Sequence, residues 1–247
     1  MKRHLIFVVL LISITAYAQT ADREKEESDS ISQAKLAGET YFEKKGYKGE
    51  QFFNKVWMQS DILLSTGKMV LGEKVKYNGL LDELIWANAT INQQFKLDKP
   101  LISEFWLKDE KGMTTHFKQI TLNKSPSASQ QSDFFAEVAV EGKLALYIQR
   151  KISIVDKDNV TIDGILRRQE TIRATPLYYL KLSSDNYLQL DKIKLKSFIQ
   201  LFPTKKKLVD KLMKNNNFKL KTENALIRLI KLLNDQETLA SPNTQNS

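Results

Sequence analysis

The feature that most constrains this fold is a change in hydrophobic period near Asp191. From Phe52 to about Leu190, aromatic and β-branched residues come in short runs separated by Gly, Asn, Asp and Ser. Alternation at period two with frequent turn residues reads as β-strands. The clearest hairpin is Phe134–Val140 and Leu144–Arg150 around Glu141-Gly142-Lys143, with Phe134, Ala136, Val138 and Val140 alternating on one strand and Leu144, Leu146 and Ile148 on its partner. Thr66-Gly67-Lys68 and Leu71-Gly72-Glu73 read as turns ahead of strands at Val75–Tyr77 and Leu80–Trp86. Further strands follow at Phe95–Leu97, Leu101–Leu107 and His116–Ile120. Asp156–Asn159 is expected to turn Ile152–Val155 into Val160–Leu166, and Ser183–Asn186 to turn Leu177–Leu182 into Tyr187–Leu190. No helix-length segment separates these runs, so the pairing is expected to be antiparallel.

After Asp191 the period lengthens to 3.6. Asp191 is placed to cap a helix presenting Ile193, Leu195, Phe198, Ile199 and Phe202, which Pro203 stops. Thr204 is placed to cap a second, with Leu208, Leu212 and Met213 on one face, and Thr222 a third, with Leu226, Leu229, Ile230 and Leu233. Each has one apolar stripe and so needs a partner to bury it. The expected fold class is α+β: an antiparallel β-rich body, a meander or open barrel-like sheet, with about three C-terminal helices packed on it.

The first eighteen residues read as a secretory signal peptide: Lys2 and Arg3, the apolar run Leu5–Thr15, and Ala16-Tyr17-Ala18 before Gln19. The run is shorter than the roughly 20 residues a membrane span needs. The segments expected are therefore a signal peptide over 1–18, a flexible polar leader over 19–36, one β-rich domain over 37–234 with a helical part at 191–234, and a disordered tail over 235–247. Export to the periplasm or cell surface follows. The chain holds no cysteine, which rules out disulfides, thiolate chemistry and a lipidated lipoprotein anchor. Asp29-Ser30-Ile31 in the leader has the form of a Bacteroidota O-glycosylation site, making Ser30 a candidate acceptor.

Charge is segregated. Between Asp191 and Lys231 there are twelve basic and three acidic residues, so this segment alone carries the +9 of the whole chain. Lys205, Lys206, Lys207, Lys211 and Lys214 are its densest part and are the candidate contacts for an anionic lipid or glycan surface. Export argues against nucleic acid as the partner.

Few catalytic groups are available. Once the signal is removed, His116 is the only histidine, and it sits in a run that reads as a strand. No G-x-G-x-x-G or G-x-x-x-x-G-K-[ST] motif occurs, and no cofactor is implied. Asp82 and Glu83 read as strand neighbours facing opposite sides. Glu104 alternates with Ile102 and Trp106, which suggests an inward carboxyl with a raised pKa. Asn88-Ala89-Thr90 matches a common glycosylation triplet. The aromatic residues of the body, among them the consecutive pairs Phe105-Trp106 and Tyr178-Tyr179, read as core or as the lining of an apolar cavity.

Val70–Trp86 (VLGEKVKYNGLLDELIW), Glu141–Ile152 (EGKLALYIQRKI), Tyr178-Tyr179-Leu180-Lys181 and Leu195–Asn234 with its FPTKKKLVDKLMKN core resemble a group of uncharacterised exported proteins common in Bacteroidota. The resemblance runs from about 60 to 234 and implies compartment and phylum, with no site residues. The expected function is a non-catalytic binding or structural role in the cell envelope. The alternatives are a carrier of an apolar ligand in a β-lined cavity and a carboxylate-based hydrolase.

Overall fold

The computed structural model describes residues 35–44, 46–122, 132–182 and 186–239. The expected signal peptide, nearly all of the leader with Ser30, residues 183–185 of one expected turn and residues 240–247 lie outside the described residues. The described fold belongs to one compact unit beginning at Ala37.

Its strands are β1 (Gly38–Thr40), β2 (Tyr47–Lys48), β3 (Met58–Leu64), β4 (Met69–Asn78), β5 (Glu83–Asn88), β6 (Gln93–Leu97), β7 (Ile102–Lys108), β8 (Thr114–Leu122), β9 (Ser132–Val140), β10 (Ala145–Gln149), β11 (Ile152–Ile162), β12 (Ile165–Ala174), β13 (Leu177–Lys181) and β14 (Tyr187–Leu190). Three helices follow, α1 (Leu195–Leu201), α2 (Lys206–Asn215) and α3 (Glu223–Leu239). The fold is α+β, as the change of period predicts. Eleven strands form one antiparallel sheet in the order β1-β6-β5-β4-β3-β7-β8-β9-β10-β13-β14. A smaller sheet, β11-β12-β2, pairs β11 and β12 antiparallel and adds β2 parallel to β12.

Three local readings are corrected by β-bulges, which insert one residue and reverse the alternation beyond it. Gly72 does not turn the chain: it lies inside β4 at φ +73, where its N–H donates to Asp61 Oδ1 at 3.0 Å. The pairing of β3 with β7 shifts at Ser103, so Ile102 is buried with Phe105 and Leu107, whereas Glu104 shares the opposite face with Trp106. A shift near Ala139 likewise splits the predicted hairpin. Val140 joins Leu144, Leu146 and Ile148 beneath the helices, while Phe134 and Ala136 pack with Tyr179 on the other face.

Two turns also move. Asp156–Asn159 continues β11, and the chain reverses at Asp163-Gly164, both with positive φ (53° and 78°), the conformation a tight two-residue hairpin requires. Leu80, Leu81 and Asp82 belong to the turn before β5, with Asp82 at φ 56°. Asp82 and Glu83 are therefore not strand neighbours.

That turn closes the concave side of the sheet. The Tyr77 hydroxyl donates to Asp82 Oδ1 at 2.6 Å, and the Phe135 N–H donates to the same carboxylate at 3.2 Å. β4 and β9 are separated in the sheet by β3, β7 and β8, so these bonds span its curl. Beneath them Phe53, Tyr77, Phe105, Phe117 and Phe135 contact one another, with Phe105 and Phe117 stacked at 4.8 Å. Of the two readings given for the body's aromatic residues, core and cavity lining, these five rings follow the first and pack against one another in the interior.

The helices cover the far end of the sheet. Phe198, Val209, Leu212, Leu226, Leu229 and Ile230 form one buried cluster with Val140, Leu146, Ile148, Leu180 and Leu190. Capping differs from the sequence reading. Neither Asp191 nor Thr204 caps a helix: α1 starts after Lys194 and α2 after Lys205, both without a side-chain cap. Thr222 does cap α3, its Oγ1 accepting the Ala225 N–H at 3.3 Å. Helix α3 continues to Leu239, into the expected tail, because Asn234 anchors its last turns to the β9–β10 turn. Its side chain accepts the Leu144 N–H and donates to the Leu144 carbonyl, both at 3.0 Å.

Candidate functional site

The arrangement of α1 and α2 follows from Pro203. It ends α1 and opens a short 3-10 turn, Pro203–Lys205, that leads directly into α2. Phe198 and Phe202 are buried with rings 5.1 Å apart, and Val209 and Leu212 are the buried side chains of α2. With those residues inward, Lys206, Lys207, Lys211 and Lys214 are exposed. Lys205 is half-buried and belongs to the 3-10 turn. The structure therefore brings four of the five candidate lysines onto one outer helical face.

Two features set these lysines apart. Lys206 and Lys207 stand in the first turn of α2, which holds no acidic residue, although the positive end of the helix dipole disfavours cations there. Among the described residues, no carboxylate lies within ion-pair distance of Lys206, Lys207, Lys211 or Lys214. Several lysines of the body are placed differently: Lys96 reaches Glu39 at 3.0 Å, Lys108 reaches Asp61 at 2.5 Å, and Lys118 reaches Glu104 at 2.8 Å. Between α1 and α2 lies a groove of about 560 Å³ lined by Leu195, Lys196, Ile199, Gln200, Lys206 and Asp210.

No protein-family model, no curated protein and no solved structure matches this chain.

The candidate catalytic groups are committed elsewhere. Glu104 is not an inward acid. Its Oε2 is 2.7 Å from His116 Nε2 and its Oε1 2.8 Å from Lys118 Nζ. Burial pushes its carboxyl upward, but the bonds and charges of Lys118 and His116 outweigh that and hold it below the usual range. The His116 ring stacks on Trp106 at 4.6 Å, a cross-strand pair on the sheet surface. Asp82 is occupied by Tyr77, the Phe135 N–H and Lys99. Glu83 lines a cleft of about 510 Å³ together with Asp82, Glu39, Lys96, Asp98 and Lys99. Burial raises the Glu83 carboxyl, and Asp82 and Glu39 add to that, while Lys96 and Lys99 oppose it. Among the described residues, no group of three or more His, Asp or Glu is placed to hold a metal ion.

Sequence reasoning missed Arg150. Its guanidinium donates to Glu137 at 2.5 Å and, bidentately, to Glu223 at 2.9 Å for both bonds. Tyr178 also donates to Glu223, at 3.0 Å. Seventy-three residues separate Arg150 from Glu223, so no spacing motif could have announced the pair. This cluster ties α3 to the sheet, with one guanidinium shared between two carboxylates.

Proposed function

We propose that this is an exported, non-catalytic binding protein of the cell envelope that seats the outer face of α2 on an anionic surface. The carrying observation is the exposed set Lys206, Lys207, Lys211 and Lys214, with no carboxylate within ion-pair distance among the described residues and partly placed against the helix dipole. Unbalanced positive charge on one face costs stability through self-repulsion and raises the local concentration of anions. Lysine suits this role because its ammonium is a point charge that does not require the planar, two-pronged partner arginine matches. The resemblance to exported Bacteroidota proteins and the signal-like N-terminus support the compartment. Among the described residues, no helix is long and apolar enough to cross a membrane, and contact is proposed at the surface.

Co-sedimentation with vesicles rich in anionic phospholipid tests the reading. Attraction of about 1 kcal/mol per lysine near the surface means the variant Lys206→Gln/Lys207→Gln/Lys211→Gln/Lys214→Gln should bind on the order of 1,000-fold more weakly than wild type. Raising salt from low to physiological should weaken the wild type and leave the variant nearly unchanged. Equal binding by the two proteins, or binding indifferent to salt, would overturn the proposal.

A further inference from the structure

The geometry points to a site for one alkyl chain of a phosphate-bearing lipid in the groove between α1 and α2, an inference that rests on the surface-docking reading above. The groove runs along the helices because its lining residues come in pairs one turn apart. Leu195 and Ile199 are four apart on α1, as are Lys196 and Gln200, and Lys206 and Asp210 face them from α2. Leu195 and Ile199 are half-buried: each gives one side to the buried cluster and leaves the other along the groove.

That floor has no polar side chain. At about 560 Å³ the groove falls within the range of small-molecule sites. Its banks end in two ammonium groups, Lys196 and Lys206, against the single carboxylate of Asp210. Lysine stems lie along apolar surface and carry the charge to the rim, so each bank lengthens the apolar wall and ends in a cation. An apolar floor under a net positive rim complements an anionic head on a hydrocarbon tail. It does not complement a free anion, which would gain nothing from Leu195 and Ile199, or a neutral amphiphile, which would gain nothing from the lysines.

The site is also held in shape before any ligand arrives. Phe202 N–H bonds to Phe198 O and Lys205 N–H to Phe202 O, each at 3.1 Å, while Phe198, Phe202 and Val209 are buried beneath. The short turn and its buried anchors fix the spacing of α1 and α2, which lowers the ordering cost of binding.

Calorimetry with dodecyl phosphate below its micelle concentration tests this on the full mature chain. Wild type should bind it saturably at one per protein, at least tenfold tighter than dodecyl maltoside, and inorganic phosphate should not displace it. Leu195→Gln/Ile199→Gln should lose at least tenfold in dodecyl phosphate affinity, while its remaining vesicle binding still weakens with salt because the lysine face is intact. Lys196→Gln/Lys206→Gln leaves the floor intact and should bind the two amphiphiles alike. Absence of saturable binding by wild type, or unchanged affinity in the folded floor variant, would overturn the site. Dodecyl phosphate binding without vesicle attraction would support the groove and overturn surface docking alone.

Discussion

Arg150 binds two carboxylates at once, and it shows how this protein handles charge indoors. Two carboxylates, Glu137 and Glu223, converge on it from β9 and α3, and the Phe53 ring lies 5.7 Å from the guanidinium carbon. Removing the cation leaves two half-buried carboxylates facing each other. Arg150→Met should destabilise by about 3 kcal/mol in urea unfolding, and adding Glu137→Gln and Glu223→Gln should recover much of that loss, because breaking a buried pair costs more than replacing it whole. A negligible loss in the single variant would mean that the cluster contributes nothing to stability. Tyr178 gives the same cluster a pH signature. Burial, then the charge and hydrogen bond of Glu223, push its phenol up to about 12. The folded state therefore holds this proton more tightly than the unfolded chain does. Its contribution is complete below pH 10 and is lost as pH climbs from about 10 to about 12. Alkaline absorbance titration should place Tyr178 near that value, and Glu223→Gln should bring it down without returning it fully to 10, since burial remains.

Among the elements, the β9–β10 hairpin bears the most. Leu146 is fully buried between the sheet and the helices, so Leu146→Ala should cost about 2–5 kcal/mol. A change under about 0.5 kcal/mol in urea unfolding would contradict its place in the core. This hairpin also marks where sequence reading succeeded and where it stopped. The Glu141-Gly142-Lys143 turn was legible because glycine supplies the positive φ, here 141°, that the reversal needs. The face assignment of Phe134 and Ala136 was not, because one bulge reverses every position before it. The same blindness misplaced Glu104, where alternation carried Ile102 and Glu104 onto one side and the shift at Ser103 separates them. Two of the three expected helix caps failed for a related reason. Asp191 and Thr204 have the right chemistry, but the start of each helix was set by burial of Phe198 and Val209. The lysine face was the most legible part of the candidate site, since charge segregation needs only counting. Its groove was invisible, because it depends on how two helices meet across Pro203.

At the scale of the whole molecule, charge is divided between a nearly neutral sheet and a strongly basic helical end. If the chain is exported as we propose, N-terminal sequencing of the envelope fraction should begin at Gln19, and a protein starting at Met1 would refute cleavage. The same molecule makes an excursion between β10 and β13, which pair residue for residue from Ala145↔Lys181 to Gln149↔Leu177. The intervening chain is the β11–β12 hairpin, paired with itself from Ile152↔Ala174 out to Ile162↔Ile165. A loop that zips onto itself holds its own ends close, so β13 need not search for β10 across a flexible segment. In kinetic terms the arm converts a distant contact into a near one, and a chain whose arm is trimmed symmetrically on both strands should refold at a rate close to that of the full-length protein.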